Sequence, residues 1–258
     1  MDALVLAGGI PQPGEPLYEF TQGKPKALLD VSGKPMVQWV LDALSQARSI
    51  DQVVVVSLEE DSGLKCDKPV TYLPNQGEML DNIRTGVQKI LELNPQARHV
   101  LSVSSDIPSI TGEMVDWMID TTAQTDHDIY YSVITRQVME ARYPDSKRSY
   151  IRLKDVEICG GDMNMFRAQT ATANEALWEK IIAARKNALK QAALIGYDTL
   201  FLLLFHRVTL DEAVKIVEKR LNITGRVILS PYAELGMDVD KPHQLEIVRA
   251  DLAKKVPA

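Results

Sequence analysis

The chain of 258 residues is short of several things, and each shortage excludes something. Its two cysteines, Cys66 and Cys159, stand far apart and show no metal-ligand spacing. Neither a disulfide framework nor a thiolate metal site is expected, and a reducing, cytoplasmic compartment is the simpler reading. The four histidines, His99, His127, His206 and His243, form no metal spacing either. Long apolar runs are missing: the longest, residues 200–205, is far too short to cross a bilayer, so no membrane partner is expected. The opening residues lack the basic flank and apolar length of a signal peptide. Positive charge is in deficit, with 29 basic against 35 acidic residues and a net charge of -6. That balance argues against a nucleic-acid-binding surface. Both G-x-G-x-x-G and G-x-x-x-x-G-K-[ST] are absent, so the chain carries neither the dinucleotide fingerprint nor the P-loop. There is no internal repeat, no low-complexity tract and no linker.

What remains is ordinary globular material, 45% hydrophobic and 25% charged. Strand-like and helix-like stretches alternate through the first half. Residues 4–7 read as a buried strand, and residues 35–47 as a helix with Pro35 in its first turn. Four consecutive valines in residues 52–57 mark a strand covered on both faces. A short strand at 70–73, a helix at 77–93, a strand at 99–104, a helix at 111–120 and a strand at 128–134 follow. This rhythm predicts a doubly wound, mostly parallel α/β sheet, with ligands outside the carboxyl ends of its strands. The second half breaks the rhythm. Residues 137–147 read as polar and irregular, 150–153 and 156–166 as strands, and 174–194 as a long helix. Residues 200–205 are apolar and of open type. A capping-box pattern, Thr209-Leu210-Asp211-Glu212, opens a helix to about 221. Strands at 226–229 and 237–239 and a helix at 242–254 complete the chain.

The chemistry gathers near the start. Leu6-Ala7-Gly8-Gly9 ends the first strand in a turn where glycine lets a ligand approach the backbone. Lys24-Pro25-Lys26-Ala27-Leu28-Leu29-Asp30-Val31-Ser32-Gly33-Lys34-Pro35-Met36 then supplies ammonium groups. A fixed ammonium can offset the charge that grows on a phosphate under attack. Taken together these two stretches resemble the nucleotidyltransferase superfamily, which includes sugar-phosphate nucleotidyltransferases and the molybdenum-cofactor guanylyltransferases. The resemblance spans the chain, loosely after Asp120, and implies a Rossmann-like fold of glycosyltransferase-A type. It implies one domain over residues 1–258. Residues 1–135 would form the nucleotide-binding half and 136–258 the acceptor-binding half, with a helical insertion at about 174–222. In that family the glycine turn holds the nucleotide and a lysine in the position of Lys26 binds phosphate. Lys24 and Lys34 read equally well as solvated surface lysines.

Further stretches match the same family. Gly77 and Asp81-Asn82-Ile83-Arg84-Thr85-Gly86 resemble the base-pocket element of cytidylyltransferase relatives, with Asn82 able to read a base edge through both amide groups. A capped helix start explains the same residues. Ser104-Ser105-Asp106-Ile107-Pro108 places an aspartate at the carboxyl end of a strand, where relatives bind Mg2+. Gly236-Met237-Asp238-Val239-Asp240-Lys241-Pro242 is similar to the family's closing Asp-Val-Asp element, so Asp238 or Asp240 would be the second metal ligand. The alternative for Asp240 is a helix cap. Arg148, Gly161 and Asp162 fall where relatives bind the acceptor. A guanidinium there could hold a phosphate bidentately, and adjacent glycines permit close approach, although a surface arginine and a strand bulge account for them too.

The implied activity is Mg2+-dependent transfer of NMP from an NTP to a phosphorylated small-molecule acceptor, with release of pyrophosphate. Lys26 and Asp106 would be the catalytic pair, and a homo-oligomer is compatible with the sequence. One departure motivates a second reading. Residues 10–22 contain no Arg or Lys, where relatives usually place an arginine on the triphosphate, and they carry Glu15 and Glu19 instead. Lys24 substitutes, or the loop folds away, or the protein binds nucleotide without turning it over. Glycosyl transfer from a nucleotide-sugar is a third reading, disfavoured because no acid stands two residues before Asp106.

Overall fold

The computed structural model describes residues 1–173 and 207–255. In chain order the strands are β1 (Asp2–Leu6), β2 (Asp30–Val31), β3 (Lys34–Pro35), β4 (Gln52–Val56), β5 (Val70–Leu73), β6 (His99–Ser104), β7 (Ile129–Thr135), β8 (Ile151–Arg152), β9 (Glu157–Gly160), β10 (Met163–Arg167) and β11 (Gly225–Ser230). The helices are α1 (Tyr18–Thr21), α2 (Met36–Gln46), α3 (Met79–Leu93), α4 (Gly112–Thr122), α5 (Arg136–Arg142), α6 (Ala168–Ala173), α7 (Leu210–Leu221) and α8 (Pro242–Leu252).

Nine strands form one sheet in the order β5-β4-β1-β6-β10-β7-β9-β8, with β11 paired to β7. β1 runs parallel to both β4 and β6, and Leu6 lies opposite Val56 on one side and Ser104 on the other. The three chains therefore leave the sheet at one edge, the carboxyl edge where the alternation of elements places ligands. β10 is antiparallel to both β6 and β7, and β11 is parallel to β7. The sheet is thus mostly parallel and doubly wound, as the sequence predicts.

The reason lies in the apolar pattern. Val53–Val56 are essentially without exposure, which a strand achieves only when both faces are covered. Along β1, Ala3 and Val5 enter the core built with α2, α4 and α8, while Leu4 enters a second core under α3. Successive residues of a strand point to opposite faces, so the short segment stitches the two layers together. Gly86 lets α3 lie close on the sheet, since a Cβ there would stand 2.3 Å from Leu4 Cδ1.

Several expectations are corrected. Residues 137–147 are not wholly irregular. α5 occupies Arg136–Arg142, capped by the Thr135 hydroxyl, which accepts from Val138 N–H. Its helicity comes from tertiary ties, because Met139 is buried and Arg142 pairs with Glu234 and Asp251 across the chain. Residues 156–166 are not one strand. They split into β9 and β10 around a bulge at Gly161-Asp162, held by Asn164, whose Oδ1 accepts from Ser132 N–H at 2.8 Å and whose Nδ2 donates to Gly161 O at 3.0 Å. Residues 237–239 form no strand. A 3-10 turn, Ala233–Gly236, leads into an extended segment that joins no sheet, though Val239 N–H donates to Asp106 O at 2.9 Å. Pro35 closes a small hairpin, β2 with β3, and stands just before α2 rather than in its first turn. The capping box at Thr209 and Glu212 forms as read. The helix expected at 174–194, the apolar run 200–205, and His206 lie outside the described residues.

Candidate active site

The glycine turn leaves β1 exposed at Gly8 and Gly9. The chain wanders through a polar loop and returns, with Lys26 N–H donating to Gly9 O at 2.8 Å. Lys26 opens a 3-10 turn, Lys26–Leu28, whose Ala27 is buried, so its backbone is fixed and only its side chain has reach. Gly9 sits directly beneath that side chain, its would-be Cβ 3.6 Å from Lys26 Cε.

Asp106 follows β6 by two residues. Its main chain is clamped between Ser105 N–H, which donates to Leu6 O, and the Val239 N–H noted above. Asp240 arrives from the far end of the chain, just before α8. The buried Gln244 side chain accepts from Asp240 N–H at 3.0 Å and so sets its backbone. These three residues converge. Lys26 Nζ lies 2.7 Å from Asp106 Oδ2 and 2.6 Å from Asp240 Oδ1. Lys26 and Asp106 are each 14% exposed, whereas Asp240 is 57% exposed and faces the opening. Burial alone would pull the lysine down, but the two carboxylates outweigh it and hold its pKa above the ordinary lysine value. The group is an ammonium at neutral pH.

Asp106 Oδ1 is buried and has no hydrogen-bond partner among the described residues. A buried carboxylate oxygen left this way is costly unless something completes it. Two carboxylates sharing one ammonium also leave one negative charge unmatched. Mg2+ is bound through one or two carboxylates plus substrate phosphates, so Asp106 and Asp240 fit such an ion. No cluster of three or more candidate ligands occurs among the described residues.

Asp238 does not join this group. It pairs with Arg148, and both side chains are about 15% exposed or less. Arg148 also reaches Gly160 O at 3.4 Å. The arginine expected to hold an acceptor phosphate is therefore held by the aspartate expected as an alternative metal ligand. Gly161 sits at the bulge, where a Cβ would stand 2.2 Å from Ser132 Oγ. The Asp162 main chain ties Ser104 to Leu235, joining the end of β6 to the 3-10 turn before Asp238.

Asn82 is buried beside the glycine turn, 3.3 Å from the would-be Cβ of Gly8. Its Oδ1 accepts from Gln76 N–H and its Nδ2 donates to Asn75 Oδ1. It holds the loop that carries Gly77, which has φ +92° and needs glycine for it. Lys34 pairs with Asp42 and lies 4.5 Å over the Trp39 ring, so it buttresses α2. Lys24 is exposed. In the loop without basic residues, Glu15 accepts from Gln12 N–H at 2.7 Å and closes its own turn. Two residues went unread in the sequence. Ser57 follows β4 with φ +80°, and its buried Oγ, without a hydrogen-bond partner among the described residues, lies 3.0 Å from the would-be Cβ of Gly8. Gln244 sets Asp240. The signal for Ser57 was its place at the carboxyl end of the valine run, and for Gln244 its place three residues into the helix.

A glycine turn, an ammonium and two convergent carboxylates thus stand together at the carboxyl edge of a doubly wound sheet. Residues 3–212 match the MobA-like NTP transferase domain, and the chain belongs to that family. It is a nucleotidyltransferase. Among curated proteins it is 26% identical over 250 residues to 3-deoxy-manno-octulosonate cytidylyltransferase of Geotalea uraniireducens (strain Rf4), covering 92% of this chain and 96% of that one. A hypothetical transferase from Thermus thermophilus has a solved structure 32% identical in sequence, with TM-score 0.81 over 95% of this chain and 98% of the other. CMP:2-keto-3-deoxy-manno-octonic acid synthetase, solved with CTP, shares the fold at 15% identity and TM-score 0.60, covering 99% of each chain. The 4-diphosphocytidyl-2C-methyl-D-erythritol synthase of Anaerococcus prevotii DSM 20548 shares it at 14% identity and TM-score 0.58, covering 97% of this chain and 95% of the other. No helix among the described residues is long and apolar enough to cross a membrane.

Proposed function

We propose that the protein is a Mg2+-dependent nucleotidyltransferase that moves NMP from an NTP to a phosphorylated small-molecule acceptor and releases pyrophosphate. The observation that carries this reading is the meeting of Asp106, Lys26 and Asp240, whose sequence positions span almost the whole chain. CTP is the first donor to test, because the curated relative is a cytidylyltransferase. The nucleotide lies against Gly8, Gly9 and the loop held by Asn82, with its triphosphate toward Lys26. The lysine donates to phosphate oxygens and offsets the charge that builds on them as the acceptor oxygen attacks. Asp106 and Asp240 would hold Mg2+, which supplies charge neutralisation at the same oxygens. The acceptor approaches from the side of Arg148, Gly161 and Asp162. An acceptor phosphate is already ionised near neutral pH, so no protein base is assigned, and the site acts by position and charge. The cytoplasmic location and the one-domain organisation belong to the same proposal.

The test is pyrophosphate release from each of the four NTPs with Mg2+, against a panel of sugar phosphates, polyol phosphates and sugar acids. Release with one NTP and a phosphorylated acceptor supports the reading. Release only with an unphosphorylated sugar acid overturns the acceptor class. NTP binding without release anywhere overturns catalysis and favours a nucleotide-binding protein, the reading that the loop without basic residues motivates.

A further inference from the structure

Lys26 occupies the point between Asp106 and Asp240 where a cation bound by both carboxylates would sit. We propose that it is the resident counter-ion of that site. Without nucleotide its ammonium takes the place of the divalent ion. An arriving NTP draws the ammonium onto its phosphate oxygens and leaves the two carboxylates to the metal. Metal and nucleotide then bind interdependently, and Lys26 is the part that links them. The inference rests on the proposed placement of the metal at Asp106 and Asp240.

Three observations carry it. Nζ contacts both carboxylates at 2.7 and 2.6 Å, so a divalent ion bound between them competes with the ammonium for both. The ammonium matches only one of the two negative charges and leaves Asp106 Oδ1 buried without a partner among the described residues, so the arrangement is a stand-in rather than a complete ion cluster. The exchange also needs little motion. The Lys26 backbone is pinned to Gly9 O, and the side chain already passes over Gly9, in the turn proposed to hold the nucleotide. Rotation about the flexible lysine stem takes Nζ from the acids toward that turn. A bidentate, rigid guanidinium or a short side chain could not make the same exchange.

The experiment measures Mn2+ binding to the full chain by the electron paramagnetic resonance signal of the free ion, which requires no turnover. Wild type, Lys26→Met, Lys26→Arg, Asp106→Asn and the Lys26→Met/Asp106→Asn double variant are compared without nucleotide. Lys26→Gln replaces Lys26→Met if the latter does not fold. The proposal expects Lys26→Met to bind Mn2+ about tenfold or more tightly than wild type, within the range for removing a competing partner from a part-buried ion pair. Lys26→Arg stays near wild type, and the double variant loses the gain. A second arm repeats the titration of wild type and Asp106→Asn with each NTP. If Lys26→Met binds no tighter than wild type, while Asp106→Asn weakens Mn2+ binding in the presence of an NTP, the counter-ion role is overturned and the metal placement stands. If Asp106→Asn changes nothing in either arm, the metal placement falls and the counter-ion role falls with it.

Discussion

Asp116 offers a sharp test of how the frame around the site is held. It lies on α4 at 9% exposure, and its carboxylate accepts from Ser49 N–H at 2.9 Å, Arg48 N–H at 3.2 Å and Arg48 Nε at 3.1 Å. It thereby fastens the turn between α2 and β4. Burial by itself would raise its pKa, but the backbone N–H groups and the Arg48 side chain outweigh it and bring it from 3.8 down to about 2. A depression of that size corresponds to about 2 kcal/mol of stability. The folded pKa lies below the unfolded one, so this contribution is present above the unfolded value and is lost as pH falls from about 4 toward about 2. Asp116→Asn keeps the shape, but its amide cannot accept from all three donors. Leaving a buried N–H unsatisfied costs about 1–3 kcal/mol. Urea unfolding of wild type and variant at neutral pH and across the acid range measures this directly. The expected gap is about 2 kcal/mol at neutral pH and narrows as acid protonates Asp116. A gap that stays constant with pH, or none at neutral pH, refutes the argument.

Other outcomes follow from the same geometry. Gly86→Ala puts a Cβ 2.3 Å from Leu4 Cδ1 and 3.1 Å from Val56 Cγ2 in a filled core, so it should destabilise by about 1–3 kcal/mol in denaturant titration. Arg142→Met removes the guanidinium, itself 40% exposed, that Glu234 and Asp251 share, and should cost about 1–2 kcal/mol in the same assay. Gln244→Ala frees the Asp240 backbone. It should lower kcat/KM by about ten- to a hundredfold and also cost about 1–3 kcal/mol in denaturant titration, because the buried acceptor of the Asp240 N–H is lost.

The legibility of this fold in its sequence was uneven, for physical reasons. The parallel half was plain because strands covered on both faces must be apolar throughout, and Val53–Val56 announce that requirement. The insertion of β10 between β6 and β7 was not visible, because an apolar stretch states that it will be buried and not which strand it will join. α5 was missed because its pattern is mostly polar and its order comes from Met139 and from ion pairs to residues about a hundred positions away. The extended 237–239 segment resembled a strand because its apolar residues, Met237 and Val239, are fully buried, yet its tie is the bond to Asp106 rather than a ladder. Lys26, Asp106 and Asp240, which the structure brings together, stood out in the sequence by their places at strand ends and in motifs, Asp240 only as one of two alternatives. Which of Asp238 and Asp240 would meet Lys26 could not be read, because Arg148, a residue ninety positions earlier than Asp238, pairs with that one.

The proposed function stands on Asp106, Lys26 and Asp240. The most direct measurement is the Mg2+-dependent part of the NTP-induced rise in Tm, compared between wild type and Asp106→Asn. A ligand that prefers the folded chain raises Tm by mass action, so no acceptor need be known. The Mg2+-dependent part should disappear in Asp106→Asn while the Mg2+-independent part remains. A variant whose shift equals that of wild type contradicts the proposed function.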